Sequence, residues 1–305
     1  MSKVDLSVSL CGVTLKNPII AASGTYGFGR DFTRFYNVSR LGGISAKGVT
    51  PFERAGNPPV RIVETPSGIL NAVGLQNPGI DAFLATELPW MLSQGATVIC
   101  NISGSTIEEF CHMAKKLDGS EVAFIEVNVS CPNIHAGGSV FGSDPENVLA
   151  VTQAVRCCTD KPMMIKLSPN VADITEMAVA AQEGGADAVS LINTLTGMAI
   201  DVNTRRPVLA NRTGGLSGPA VRPVALRMCY QAAKAVSIPV VGMGGIMTGE
   251  DAVMFLLAGC TAVQVGTANL SDPMACVRII DELEDYMNRK GIKRVEELVG
   301  ALITE

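Results

Sequence analysis

Eight apolar runs of strand length recur along the chain, and helical patterns fill the stretches between most of them. The runs are IIAASG (19–24), GGISAKGV (42–49), TVICNIS (97–103), FIEVNVSC (124–131), MMIKLSP (163–169), AVSLINT (188–194), PVVGMGGI (239–246) and AVQVGTAN (262–269). They are apolar throughout rather than alternating, the pattern of strands covered on both faces. Helical periodicity is read over 79–93, 106–117, 145–157, 173–183, 219–236, 248–258 and 272–289. Several of these open on capping residues: Ser105-Thr106 before Glu108 and Glu109, Asp173 before Ile174, and Thr248 before Glu250 and Asp251. QGATVICNIS, GGADAVSLINT and AGCTAVQVGT echo one another, each a helix-ending glycine, a polar step and a buried strand. Such an array is a (β/α)8 TIM barrel or a doubly wound sheet. The count of eight and the length of 305 residues favour the barrel, as one domain over 1–305.

Two segments fall outside the array. VDLSVSLCGVTLKNP alternates and turns at Cys11-Gly12, so an N-terminal β-hairpin is expected to plug the bottom of the barrel. The interval 50–78 holds the strand-like pieces VRIVET and GILNAVGLQ between turns, an insertion over the C-terminal face. Net charge is −5 with no basic run, which argues against nucleic acid. The start lacks the apolar core of a signal peptide, and no run reaches the ~18 apolar residues of a membrane span. A cytoplasmic protein away from the membrane is expected. Nine cysteines, no CxxC pair and two histidines suit reduced thiols and no metal site.

In a barrel, function gathers where the strands end. The ends here supply Ser23, Lys47 and Gly48, Asn101, Asn128 with Cys131, Lys166, Asn193 and Thr194, Gly244 and Gly245, and Gly266 and Thr267. Two cations and several amides converge there with little acid. No GxSxG is present, and GMGGIM lacks the context of a dinucleotide fingerprint. Glycines closing the last two strands, with RTGGLSGPA (212–220) ahead of a helix, suit a bound phosphate or else serve only turns. Lys166 either snorkels out or stands beside an anion that develops in a reaction, and Lys47 has the same two readings. The amide set of Asn71, Asn101, Asn128, Asn133 and Asn193 suits a ligand with imide and carboxylate groups. Cys131 is either a buried apolar filler or a base on a glycine-rich loop.

The wording NPIIAASGTYGFG, GGISAKGVT, GNPPVRIVETPSGILNAVGLQNPG, EVNVSCPN, IKLSPNV, NTLTG, GGLSGPAVRP, VVGMGGI and VQVGTANL resembles the dihydroorotate dehydrogenase family over essentially the whole chain. The resemblance implies an FMN-binding barrel that oxidises dihydroorotate to orotate in pyrimidine (UMP) biosynthesis. Cysteine at 131 is similar to the soluble class, where it is the base while a hydride passes to FMN. SGTYGFG and TPFERAGNPPVRIVETPSGILNAVGLQNPG resemble the NAD-linked branch, class 1B. That branch implies an electron-transfer partner subunit carrying FAD and a 2Fe–2S cluster, NAD+ as final acceptor, and a heterotetramer of two catalytic and two electron-transfer chains. The alternatives are the self-sufficient fumarate-linked branch, class 1A, and another FMN-dependent pyrimidine reductase. Carried over by position, Ser23, Lys47, Gly48, Asn101, Asn128, Lys166, Ile192, Gly218, Gly244, Gly245, Gly266 and Thr267 are expected to hold FMN. Lys47, Asn71, Ala72, Val73, Gly74, Leu75, Asn128, Asn133, Asn193 and Thr194 are expected around the substrate. Cys131, Lys47 and Lys166 are the expected catalytic groups.

Overall fold

A computed structural model describes residues 4–130 and 141–304. The eight apolar runs form eight parallel strands: β1 (Ile19–Ala21), β2 (Gly43–Ser45), β3 (Val98–Ile102), β4 (Phe124–Asn128), β5 (Met163–Lys166), β6 (Ala188–Leu191), β7 (Val240–Met243) and β8 (Ala262–Val265). They close into a barrel in chain order, and the pairing of Val263–Val265 with Ile19–Ala21 seals it. Every residue of these strands is buried. That burial is why the sequence shows continuous apolar runs: one face meets the barrel interior and the other meets helices.

The outer helices include 80–93, Ile107–Asp118, Pro145–Arg156, Ile174–Glu183, Arg222–Ala235, Gly249–Leu257 and Ala275–Lys290. The expected caps are in place. Thr106 accepts from the Glu109 amide, Asp173 from the Thr175 amide, and Thr248 forms a reciprocal box with Asp251. The β1–β2 connection departs from the repeat. Two short 3₁₀ turns, Arg30–Arg34 and Val38–Arg40, take the place of a helix, and Tyr26 stacks on Phe32 at 3.8 Å between centroids.

Val8–Leu10 and Val13–Leu15 form the expected antiparallel hairpin. Cys11 and Gly12 both have positive φ, +48° and +80°, as a two-residue turn matched to strand twist requires. The Cys11 thiol donates to the carbonyl of Asp187 (3.2 Å), the residue just ahead of β6, so the hairpin lies against the N-terminal end of the barrel.

Over the opposite end lies a four-stranded antiparallel sheet ordered Leu195–Met198, Thr213–Ser217, Gly68–Asn71, Ile62–Thr65. The two strands from the 50–78 insertion are as the sequence suggests. The other two come from a second excursion, between β6 and the helix Arg222–Ala235, which strand patterning did not show. Its centre is glycine because neighbouring atoms leave no room for a side chain: a Cβ on Gly214 would lie 2.7 Å from the Asn71 carbonyl oxygen. A Cβ on Gly215 would lie 2.0 Å from Thr194 Oγ1. Gly214 and Gly215 of RTGGLSGPA therefore serve sheet packing.

Candidate active site at the barrel mouth

The strand ends carry their polar groups on two levels. The lower level centres on Glu126 of β4, fully buried inside the barrel. Its Oε2 accepts from Ser45 Oγ (2.7 Å) and Asn101 Nδ2 (2.7 Å). Its Oε1 accepts from Ser190 Oγ (2.8 Å) and Gln264 Nε2 (2.6 Å). Burial alone would raise this carboxyl, but the Lys166 charge and the bonds from Asn101, Ser45 and Ser190 outweigh it and hold it below its ordinary value.

Lys166 ends β5, where Cα pairing sets it level with Asn128 of β4. Its residue is 5% exposed, and its ammonium donates to Ser23 Oγ at 3.3 Å. The snorkelling alternative is thereby excluded. Burial lowers the lysine's pKa, and the Glu126 charge opposes that fall.

Around this pair the mouth divides into two sides. On one, Gly218, Gly244 and Gly245 all have positive φ (+99°, +125°, +76°). A Cβ on Gly245 would come 2.7 Å from both the Gly218 carbonyl oxygen and Arg222 Cβ, so the end of β7 lies directly on the first turn of the helix Arg222–Ala235. Ile192 is buried beside Gly244, and Thr267 Oγ1 donates to Ser217 Oγ (2.9 Å). Gly266 follows β8 and has room beside Ala22.

On the other side stand the amides. Asn128 Oδ1 accepts from the amide and hydroxyl of Ser130 (3.2 and 2.7 Å) and from Asn193 Nδ2 (3.3 Å). Asn193 Nδ2 also donates to Ser130 Oγ (2.5 Å), and its Oδ1 accepts from the Thr194 amide (2.8 Å). Asn71 Nδ2 donates to the Gly215 carbonyl (3.3 Å). The segment Ala72, Val73, Gly74, Leu75 is tied from outside: Asn57 donates to the carbonyls of Ala72 and Val73 (both 2.9 Å), and Asn77 Nδ2 to that of Leu75 (2.6 Å). Leu75 lies over Gly48, and a Cβ on Gly48 would approach Asn101 Oδ1 at 2.9 Å. Lys47 is half-buried just beyond β2, its amide donating to the Gly27 carbonyl (2.9 Å). Asn101 Oδ1 is buried without a hydrogen-bond partner.

The dihydroorotate dehydrogenase family model matches residues 5–287. The chain belongs to that family. Full-length relatives agree. A Geotalea uraniireducens protein, "Dihydroorotate dehydrogenase B (NAD(+)), catalytic subunit", is 55% identical over 305 residues, covering 100% of both chains. The proteins of that name from Geobacter sulfurreducens (56% identical, 99% of each chain) and Alkaliphilus metalliredigens (51%, 99% of this chain and 100% of that one) match likewise. The crystal structure of Eimeria tenella DHODH in complex with ferulenol superposes with a TM-score of 0.81. It covers 98% of this chain and 89% of that one at 21% identity, a likeness of fold.

Within this dihydroorotate dehydrogenase barrel, four polar residues that sequence reasoning passed over join the network. Glu126 was hidden by lying two residues short of a strand end, although a glutamate inside FIEVNVS was a visible anomaly. Ser130 bridges Asn128 and Asn193. Asn77 ties Leu75 to Thr50, and Asn170 brackets Thr194 by donating to its carbonyl (3.0 Å) and accepting from the Thr196 amide (2.9 Å). Cys131 and Asn133 lie outside the described residues. Among the described residues no cluster of three metal-ligating side chains occurs, and no helix is long and apolar enough to cross a membrane.

Proposed function

We propose that the chain oxidises dihydroorotate to orotate as an FMN-bearing catalytic subunit of the NAD-linked branch, a single barrel domain working in the cytoplasm. Full-length identity of 55% to a catalytic subunit of that name carries this reading. The partner is an electron-transfer subunit with FAD and a 2Fe–2S cluster, passing electrons to NAD+ in a heterotetramer of two chains of each kind.

Two features of the mouth fit FMN. The glycine side at Gly218, Gly244, Gly245, Gly266 and Thr267 presents backbone close to a helix start, which suits a phosphate. Asn101 Oδ1, buried and unpartnered beside Gly48, is an acceptor open to a ring N–H. Ser23, Lys47, Asn128, Lys166 and Ile192 complete the set that would hold the cofactor. Bound FMN supplies the acceptor for two electrons and the hydrogen lost from C6 of the substrate.

The chain's own groups do the rest. Asn71, Asn128, Asn133, Asn193 and Thr194, with Lys47 and the 72–75 segment, grip the substrate's carboxylate and imide. The Ser130 bridge fixes the facing amides of Asn128 and Asn193, so a flat ring meets them already oriented. Cys131, as thiolate, takes the C5 proton. Lys166 holds positive charge where negative charge grows.

Gly245→Ala tests the cradle. A left-handed backbone costs an alanine about 1–2 kcal/mol, and its Cβ would push on Arg222 and Gly218. The purified variant should carry less flavin per chain by absorbance; full flavin content argues against a phosphate seat there.

The function itself is tested on the chain purified alone, with dihydroorotate and either a dye, fumarate or NAD+ as acceptor. Rapid reduction of the dye is expected, with NAD+ used only when the partner is added. Direct, rapid use of fumarate overturns the partner assignment. No oxidation of dihydroorotate by a yellow protein overturns the substrate.

A further inference from the structure

We propose that Glu126 is a positioning residue of this site, a fixed counter-charge beneath the mouth that keeps the Lys166 ammonium charged and seated. The consequence for turnover rests on the flavin reading above; the charge relation stands on this chain alone.

Three observations lead there. First, Glu126 is held as an anion by its surroundings. Ser45, Asn101, Ser190 and Gln264, from β2, β3, β6 and β8, give each carboxylate oxygen two donors at 2.6–2.8 Å. The amide N–H groups of Asn101 and Gln264 can only donate, one to each oxygen, and with the hydroxyls of Ser45 and Ser190 donating as well the four fill the acceptor positions of an ionised carboxylate. Second, these donors are neutral, so they stabilise the charge without cancelling it. Third, Lys166 is poorly served by hydrogen bonds. Among the described residues its ammonium donates to Ser23 Oγ alone, at a long 3.3 Å. A cation so deeply buried needs an opposite charge.

The pairing register supplies one. Asn128 of β4 is level with Lys166 of β5, and Glu126 is level with Met164. Side chains two apart share a face of a strand. The anion therefore sits one layer below the cation. With its acceptor positions already filled, Glu126 acts on Lys166 through the low-dielectric interior rather than by a shared proton. Lys47 is the other cation of the mouth. Cys100 of β3 also feels Glu126, and burial first and that charge second push its thiol well up, so it stays neutral near neutral pH.

The rival reading makes Glu126 a neutral staple whose hydrogen bonds tie five strands together. Charge and staple separate in a pair of variants, Glu126→Gln and the double Glu126→Gln/Lys166→Met, made in the full chain. Thermal midpoints of the protein as purified, with its flavin content read by absorbance, are followed from pH 6 to 9. Without its counter-charge, Lys166 falls further below its unfolded pKa. A lysine depressed in this way costs stability while it is charged and returns that stability as pH rises through its folded pKa. Glu126→Gln is therefore expected to lose several degrees at pH 6 and less at pH 9. The double variant, with no charge left to bury, should recover part of the loss and lose its pH dependence. A pH-independent deficit, with the double variant no more stable than the single one, overturns the proposal. If Glu126→Gln does not fold, the double variant decides: folding supports the counter-charge, and failure supports the staple. Loss of the flavin reading would show as a colourless wild-type protein and leaves these midpoints untouched.

Discussion

Replacing Cys131 with alanine is expected to lower dihydroorotate turnover by roughly 10²–10⁴-fold, the usual loss for a positioned base, while flavin content stays at the wild-type level. The expectation follows from what lies just before it in the chain. Ser130 is locked by Asn128 and Asn193, so the end of β4 is fixed against the two amides proposed to grip the substrate. The next residue is the proposed base, and the nucleophile or base form of any cysteine is the thiolate. Lys47 lies just beyond β2 and Lys166 ends β5, and in the proposed reading their positive charge favours thiolate over thiol at the base. The rate should then rise with pH through the thiol's pKa and level off above it. In the alanine variant that rise should vanish from whatever activity remains. Steady-state rates with a dye acceptor across pH 6–10, beside the flavin absorbance of each preparation, measure both. A variant with wild-type rate and an unchanged profile would move the base elsewhere.

The barrel was legible because its strands are buried on both sides. All eight appear as largely apolar runs without strict alternation, and no tertiary knowledge is needed to see them. The hairpin was legible from Cys11-Gly12, where the turn chemistry is local. What did not show depends on partners far away in the chain. Thr213–Ser217 pairs with Leu195–Met198 and Gly68–Asn71, but its sequence, TGGLS, has no strand pattern. Its glycines answer to Thr194 and Asn71, not to propensity. The site divides in the same way. Strand-end position alone pointed to Lys166, Asn128, Asn193 and Gly245, and the structure sets all four at or just beyond the ends of their strands. Glu126 could not be placed by that rule, because its role comes from donors between 25 and 138 residues away. Asn77 and Ser130 looked like turn residues, and they are; their side chains also tie Leu75 to Thr50 and Asn128 to Asn193.

Lys166→Met is the second large effect, and its two consequences have separate causes. Turnover should fall by about 10²–10³-fold, as when one preorganised electrostatic donor is removed. Stability should fall less than in Glu126→Gln, because the carboxylate left behind keeps four donors, whereas the ammonium left behind there keeps one. The acid limb gives the sign. In the wild type, burial would raise Glu126, yet Lys166 and the hydrogen bonds hold it below its ordinary 4.5. A carboxylate depressed on folding contributes stability that is complete above its unfolded pKa. That stability is lost as pH falls through the lower folded value. Methionine removes the largest of the influences that lower it, and burial then lifts the folded value towards or past the unfolded one. The contribution shrinks, and acid unfolding followed by circular dichroism should begin at a higher pH than in the wild type. An unshifted acid limb would mean that the four neutral donors alone hold the charge. Near-normal turnover would mean that the reaction does not draw on the cation at the end of β5.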